Sequence, residues 1–406
     1  MSLGRYRALF ASRAVALLVI AQWFARLGDQ FVSIGLLWAV LDLTHSPAAT
    51  GLVLMAYTGG VIAAGFFAAS LLDRYPRKPL MLADNAVRAL CIGAITVLGL
   101  THTLNIWLLA ALAATAAMSS TITIVGMRVY LPTMVPEELI VTAFAVDSSL
   151  YQLAGILGPA LAGIVTATLG WQVAMAIASG CFVMFVAVSA FIPRGAIDSG
   201  IPPSSRELSI SQELAGARYI YHNPLLRGLT LMISMGNFFF GIAVIGLAFL
   251  SKDAFALGAR GQGFMLAAIS VGSLLSSVAL GAGHWPYPRG ISLIVNCVAL
   301  GVLVALVGLT PTIGIAYIVL FVVGAVDAAF FIWMSELRQR TPPPDLLART
   351  ISASMILNTV ATPFSAAIAG FAVGLLHVRP MFVLAGVLLA LYSALFFGNR
   401  ALREAP

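Results

Sequence analysis

The sequence predicts an all-α polytopic membrane protein with twelve transmembrane helices, and three observations support this. First, 61% of the 406 residues are hydrophobic and only 9% are charged, whereas a soluble domain has roughly 45–50% apolar and about 25% charged residues. Second, long uncharged runs occur, such as the 46 residues between Asp147 and Arg194, which is room for two helices of about 20 residues each. Third, lipid-facing barrel strands would alternate apolar and polar residues, and these runs do not. The composition also excludes a disordered chain.

The apolar runs define twelve predicted spans, which we number along the chain. Those of the first half are residues 14–41 (span 1), 48–72 (span 2), 80–100 (span 3), 104–128 (span 4), 140–168 (span 5) and 171–192 (span 6); those of the second half are residues 225–250 (span 7), 261–283 (span 8), 290–309 (span 9), 312–334 (span 10), 347–374 (span 11) and 380–398 (span 12).

The longest charged stretch, at about 193–223, divides the chain into six plus six spans. It carries Pro202, Arg206 and Glu213, and residues 211–221 within it could form a short surface helix. We therefore predict three regions. These are an N-terminal six-helix half at 1–193, a cytoplasmic linker at 194–223 and a C-terminal six-helix half at 224–406.

Basic residues predict the orientation, because cytoplasmic loops of membrane proteins carry an excess of Lys and Arg. With the N-terminus inside, 18 of the 22 Lys and Arg residues fall on the inner side, three on the outer side, and Arg26 within the membrane. Both termini are therefore predicted to be cytoplasmic, with the protein in the inner (cytoplasmic) cell membrane. The net charge of +7 follows from this topology, so no nucleic-acid partner is needed to explain it.

A faint internal repeat relates spans 5 and 11. The segment from Pro136 to Thr142 recurs as Pro344 to Thr350 at an offset of 208 residues, and Pro159 recurs as Pro363. Both spans are expected to continue past their prolines. Parallel six-helix repeats are a transporter architecture with the substrate site between the halves near the membrane midplane. We therefore predict two pseudo-symmetric six-helix halves around a central cavity lined by spans 1, 4, 7 and 10.

The loop after span 2 is a charged motif, Asp73-Arg74-Tyr75-Pro76-Arg77-Lys78. It resembles the Asp-Arg-x-x-Arg-Arg/Lys loop of the major facilitator superfamily, with Ala69 and Pro76 replacing two glycines of the usual pattern. The resemblance implies a conformational latch, in which Asp73 sits at the positive N-terminus of span 11 and Arg77 and Lys78 pair with carboxylates across the two halves. The expected latch residues are Asp73, Arg74, Arg77, Lys78 and Arg128. A simple topology anchor would show the same charges.

Span 5 carries a second motif, Gly158-Pro159-x-x-Ala162-Gly163. It resembles the Gly-Pro-x-x-Gly-Gly pattern of exporters in that superfamily, with Ala162 replacing one glycine. Small residues let helices approach closely, so we expect this face to contact Gly272, Ser273 and Ser276 of span 8. Generic small-residue packing is the alternative.

The segments 26–29 and 128–139 resemble the macrolide-efflux-like, drug:proton antiporter branch. Span 4 lacks the arginine that many proton-coupled drug exporters carry there, so that proton-relay assignment cannot be transferred.

Charged residues inside the spans are the candidates for coupling. A mid-membrane charge costs about 2.5–3.5 kcal/mol on insertion scales and normally faces protein or a water-filled cavity. Asp29 lies near the middle of span 1 with Arg26 three residues earlier on the same face, and Asp327 lies near the middle of span 10. We predict Asp29 as the proton site, Arg26 as its modulator and Asp327 as a second candidate. A static buried pair is the alternative. Asp84 and Arg88 are expected to form an i, i+4 pair.

Polar and aromatic residues at membrane depth are candidates for a lipophilic substrate cavity, although most aromatics at helical spacing simply pack. These residues are Trp23, Gln30, Tyr57, Ser120, Tyr151, Gln152, Asn237, Phe238, Trp333 and Asn358.

The function predicted from these features is secondary active export of lipophilic or amphipathic small molecules by proton antiport. Siderophore export and lysophospholipid or other lipid transport are the alternatives. The chain has no Walker-type Gly-Lys-Ser/Thr and no His-Glu-x-x-His or Gly-x-Ser-x-Gly motif, which argues against an ATP-driven pump and against an enzyme. The three cysteines lie in different apolar runs and are interpreted as packing residues. We expect no cofactor or metal, protons and membrane lipids as partners, and a monomer.

Overall fold

The computed structural model describes residues 3–193, 210–282 and 288–405, and within these ranges the regular structure is helical. Twelve helices are long and apolar enough to cross a membrane, as predicted. Their bounds are Arg13–Thr44 (span 1), Pro47–Arg74 (span 2), Arg77–Leu100 (span 3), Ile106–Met134 (span 4), Glu137–Leu169 (span 5), Trp171–Ala190 (span 6), Pro224–Phe249 (span 7), Gly258–Ala282 (span 8), Arg289–Leu309 (span 9), Ile313–Arg340 (span 10), Pro344–Thr359 with Thr362–Leu376 (span 11) and Val378–Leu395 (span 12).

Local sequence explains where several spans begin and end. The Asn105 side chain accepts a hydrogen bond from the Leu108 amide at 2.9 Å and caps span 4, because the first amides of a helix lack partners within it. Asn223 caps span 7 in the same way, followed by Pro224 at the first helical position. Gly170 has φ 89°, a conformation that favours glycine, and it separates span 5 from span 6. These caps and turns allow short connections between the spans.

Two features of the helices differ from expectation. A separate helix, Leu3–Ala11, precedes span 1, and its Leu9 is buried in a core with Leu18, Met81 and Phe185. Span 11 is broken at residues 360–361, whereas span 5 runs unbroken across Pro159. Pro363 lacks an amide hydrogen, so it cannot donate to the carbonyl of Thr359, and the break lies at this turn.

The predicted surface helix forms at Ile210–His222, which we call the linker helix. Its Gly216 lies directly against the carbonyl of Arg349 in the first half of span 11, where a side chain would collide with the backbone. The linker helix is therefore packed onto the beginning of span 11.

The chain divides into two compact units. Unit 1 comprises residues 1–45 and 56–206, and unit 2 comprises residues 46–55 and 207–406. The core of unit 2 includes Leu229, Met232, Leu293, Phe330 and Trp333. The beginning of span 2 packs inside unit 2, where an added Cβ on Gly51 would lie 2.5 Å from the carbonyl oxygen of Ala366 and 3.0 Å from the Cα of Gly370. The six-plus-six division with a linker at 194–223 remains a prediction.

Candidate functional site

Two ion pairs link the spans of unit 1 at membrane depth. Arg26 of span 1 donates to the Asp147 carboxylate at 2.6 Å and to the Asp147 carbonyl at 2.8 Å. Asp29 of span 1 accepts from Arg88 of span 3. The predicted pairing of Arg26 with Asp29 is therefore wrong, and so is the predicted pair of Asp84 with Arg88. Arg26 gains two acceptors on span 5, which is more than the single carboxylate of a neighbour on its own helix would offer.

Aromatic rings cover both guanidinium groups. The Arg26 guanidinium lies 5.4 Å from the ring centre of Tyr151, and the Arg88 guanidinium lies 3.8 Å from that of Phe182. A cation over an aromatic face is attracted by the ring quadrupole, and the attraction is stronger when water is excluded. The Arg88 side chain is only 4% exposed, whereas that of Asp29 is 40% exposed. The Arg88 end of this pair is therefore buried, whereas the Asp29 end is partly exposed.

A chain of hydrogen bonds extends from Arg88 deeper into unit 1. Arg88 donates to Asn85 Oδ1 at 3.4 Å, and Asn85 Nδ2 donates to the Thr123 hydroxyl at 2.9 Å. The Thr123 hydroxyl contacts the carboxylate of Asp84, which also accepts from the Thr123 amide at 2.9 Å. The sequence did not identify Asn85 as part of a site. Its position between Asp84 and Arg88 is the only signal that could have done so.

Asp327 stands apart from this network, in unit 2. It is half-buried on span 10, close in sequence to the buried residues Phe330 and Trp333. Among the side chains that the structure describes, no salt bridge joins Asp327 to a cation. Its candidate role stays a prediction.

The predicted cavity residues occupy different environments within their units. Trp333 is 5% exposed and belongs to the core of unit 2, which is the position of a packing residue. Ser120 is buried and donates to the Ala117 carbonyl of its own helix at 2.7 Å. Asn237 donates to the Asn358 carbonyl at 3.1 Å, so these two residues join span 7 to span 11. Tyr151 is exposed; Trp23, Gln30, Tyr57, Gln152 and Phe238 are half-buried.

The latch residues are only partly described. The side chains of Asp73, Arg74 and Arg128 lie outside the described residues, and Arg77 is the half-buried first residue of span 3. The Lys78 ammonium is buried and donates to the carbonyl of Ala190 at 2.9 Å and to that of Ile192. Lys78 therefore caps the end of span 6, where a cation meets the negative end of the helix dipole. The expectation that it pairs with a carboxylate across the two halves is corrected.

The small residues of span 5 are buried, and Gly158 among them lies against span 1. Gly158, Pro159, Ala162 and Gly163 are all buried. An added Cβ on Gly158 would lie 2.5 Å from Gln30 Cγ. The small face of span 8 is used separately, because Gly272 lies against the backbone of Phe321 in span 10. The predicted contact of this face with Gly272, Ser273 and Ser276 of span 8 stays a prediction.

Replacing Gly158 by leucine should reduce the stability of the protein by about 1–3 kcal/mol, the usual cost of overpacking a core, because the new side chain would displace Gln30. The measurement is the apparent unfolding temperature of purified protein in detergent. Gly180→Leu is the matched control, since nothing lies within 4 Å of an added Cβ at Gly180. Equal unfolding temperatures for the two variants would contradict the close contact.

The ion pairs and hydrogen bonds join spans 1, 3, 4 and 5 through charged side chains of membrane-spanning helices, an arrangement that is typical of proteins moving solutes or ions across membranes. The sequence profile of the Major Facilitator Superfamily matches residues 18–366. The protein is thus an integral membrane transporter. It belongs to the Major Facilitator Superfamily, a family of transporters rather than enzymes.

Several known transporters are similar over most of the chain. The multidrug efflux pump Tap of Mycolicibacterium fortuitum is 24% identical over 87% of this chain and 88% of its own. The enterobactin exporter EntS of Escherichia coli O1:K1 is 25% identical over 81% of this chain and 74% of its own. The crystal structure of nucleoside transporter NupG has a TM-score of 0.70 at 13% identity, covering 95% of this chain and 99% of that chain. The predicted twelve-helix fold and the resemblance to efflux transporters are confirmed.

Proposed function

We propose that the protein is a secondary active exporter that moves lipophilic or amphipathic small molecules out of the cell in exchange for protons, by alternating access. The observation that carries this proposal is the network at membrane depth, in which Asp29 is paired with Arg88 and remains 40% exposed. A carboxylate held by one cation and open on one side can exchange its ion pair for a proton. Similarity to a multidrug efflux pump supports the substrate class.

Asp29 is the proposed proton site. Its modulator is Arg88 rather than Arg26, because Arg88 is the cation in contact with it. Arg26 holds span 1 to span 5 through Asp147. Asp327 is the second candidate, on span 10. We propose that the protein acts as a monomer in the cytoplasmic membrane.

Transport by the purified protein in liposomes tests this function. A pH difference across the membrane should drive accumulation of ethidium, a lipophilic cation, and a proton-conducting uncoupler should abolish it. Liposomes without protein provide the background. Accumulation that ignores the pH difference, or that survives the uncoupler, would contradict proton coupling.

Siderophore export is the second candidate, because the enterobactin exporter is similar over most of the chain. Accumulation of iron-free enterobactin can be measured in the same liposomes in place of ethidium. Proton-driven accumulation of enterobactin but not of ethidium would favour this candidate over multidrug export.

Both termini are proposed to be cytoplasmic, from the distribution of Lys and Arg. Single cysteines introduced at residues 196–210, in a variant whose native cysteines are replaced by alanine, should react with a membrane-impermeant maleimide only after the cells are opened. A cysteine in place of Asp253, in the predicted outer loop between spans 7 and 8, is the matched control and should react in intact cells. Labelling of the 196–210 positions in intact cells would reverse the topology.

A further inference from the structure

We propose that Asp84 is a second proton-binding carboxylate, and that it competes with Asp29 for the guanidinium of Arg88. This inference rests on the proposed proton coupling. It concerns a residue that the sequence assigned only to a static pair with Arg88.

Asp84 has the surroundings of a carboxyl group that carries a proton. Its side chain is 2% exposed. One carboxylate oxygen, Oδ2, accepts from the amide and the hydroxyl of Thr123. The other, Oδ1, is buried and has no hydrogen-bond partner. A buried ionised carboxylate without a cation is strongly disfavoured, whereas its neutral form is tolerated. A proton on Oδ1 would leave both bonds to Oδ2 unchanged.

In the chain of hydrogen bonds that leads from Arg88 to Asp84, each residue donates to the next one. Arg88 has no acceptor atom, so it must donate to Asn85, and the Asn85 amide donates to Thr123. With that bond accepted, the Thr123 hydroxyl is free to direct its hydrogen at Asp84. Asp84 is therefore the final acceptor of this chain, which begins with the donor Arg88.

Among the described side chains of the network, carboxylates outnumber guanidinium groups. Three carboxylates, those of Asp29, Asp84 and Asp147, share two guanidinium groups, and Arg26 is already bound to Asp147. Asp84 is the one left without a cation.

The other elements packed around Asp84 supply no described cation to it. Span 6 contributes only the thiol of Cys181 as a titratable group, and the described side chains of span 4 contribute the uncharged Thr123. On span 3 itself, Lys78 is bound to carbonyl groups, and Arg77 is the first residue of the span, seven residues before Asp84. Arg88 is therefore the cation available to Asp84, one helical turn away on the same face.

The competition follows from this arrangement. While Asp84 holds a proton, Arg88 stays on Asp29, as observed. When Asp84 releases its proton to water, its carboxylate attracts Arg88 across one turn of span 3. Asp29 then loses its cation, which raises its affinity for a proton. Transfer of the proton from Asp84 to Asp29 conserves the charge of the network, whereas loss of that proton to water as pH rises leaves two carboxylates to share Arg88.

Infrared difference spectroscopy of the full-length protein in lipid vesicles tests this, because a protonated carboxyl group has a carbonyl stretch that a carboxylate lacks. Wild-type protein should show this band, with one component that disappears as pH rises. Asp84→Asn should remove that component, whereas Asp327→Asn and Asp253→Asn should retain it. A component that persists unchanged in Asp84→Asn would overturn the proposal.

A second variant leaves Asp84 intact and tests the competition itself. In Asp29→Asn, Arg88 has Asp84 as its remaining carboxylate partner, so the Asp84 component should disappear at a pH lower by about one unit or more. An unchanged midpoint would overturn the competition. Ethidium transport by the same vesicles keeps the proposals separate: absence of proton-driven transport by the wild type would reject the proposed function, while the infrared bands would still decide whether Asp84 binds a proton.

Discussion

Asp29→Asn should abolish proton-driven accumulation of substrate in liposomes while leaving folding and substrate binding intact. Asparagine has nearly the same shape and its Oδ1 can still accept the hydrogen bond from Arg88, so span 1 should remain attached to span 3. It cannot exchange a proton, however, and a fixed protonation state removes the step that couples transport to the pH difference. We expect accumulation to fall to the level of liposomes without protein, while ethidium binding in detergent stays within about twofold, a change of less than about 0.5 kcal/mol.

Two variants serve as controls for this prediction. Asp29→Glu keeps the titratable group and should retain part of the activity, and Asp253→Asn removes an exposed carboxylate outside the network and should behave as wild type. Full proton-driven transport by Asp29→Asn would exclude Asp29 as the proton site and direct attention to Asp327.

The largest loss of stability is expected for Arg88→Leu. This change leaves Asp29 without its cation and Asn85 Oδ1 without its donor, and it removes the group stacked on Phe182. Breaking a buried pair by removing one partner costs roughly 3–5 kcal/mol. Because the Asp29 side chain is 40% exposed, water offsets part of this cost, and we expect a value near the lower end. Apparent unfolding temperature and yield of purified protein are the measurements.

Arg400→Leu is the matched control, because Arg400 forms an i, i+4 pair with Glu404 in which the arginine side chain is 82% exposed. Exposed pairs of this kind contribute about 0.3–0.5 kcal/mol, so little change is expected. The double variant Asp29→Leu with Arg88→Leu should recover part of the stability, since no unpaired charge remains. Equal losses in Arg88→Leu and Arg400→Leu would show that the Arg88 pair contributes no more than an exposed one.

The spans could be predicted closely because they depend on local properties. The length of an apolar run, a capping residue such as Asn105 and a turn residue such as Gly170 act within a few positions of the chain. The partners of the buried charges could not be predicted. Arg26 and Asp29 lie three residues apart, and their spacing favours a pair within span 1. The observed partners, Asp147 and Arg88, come from other spans, and their proximity depends on how three helices pack.

The same limit applies to the motif of span 5. Small residues at Gly158 and Ala162 predict that another helix approaches closely, and a buried small face is observed. Which helix approaches depends on the whole packing arrangement, and Gly158 meets span 1 through Gln30. Trp333 illustrates a different limit. An aromatic residue close in sequence to Asp327 is a candidate for the lining of a cavity, but Trp333 lies in the core of unit 2.

Span 2 is one continuous helix whose residues belong to two compact units. Residues 47–55 group with unit 2, where Gly51 meets Gly370 with no side chain between the backbones, and residues 56–74 group with unit 1. Compact units tend to open and close cooperatively, each with its own free energy. In amide hydrogen exchange, the protection of span 2 should therefore change stepwise near Met55 and Ala56 instead of fading gradually from its ends. A mutation that loosens the Gly51 contact should accelerate exchange before that point and leave the amides after it unaltered.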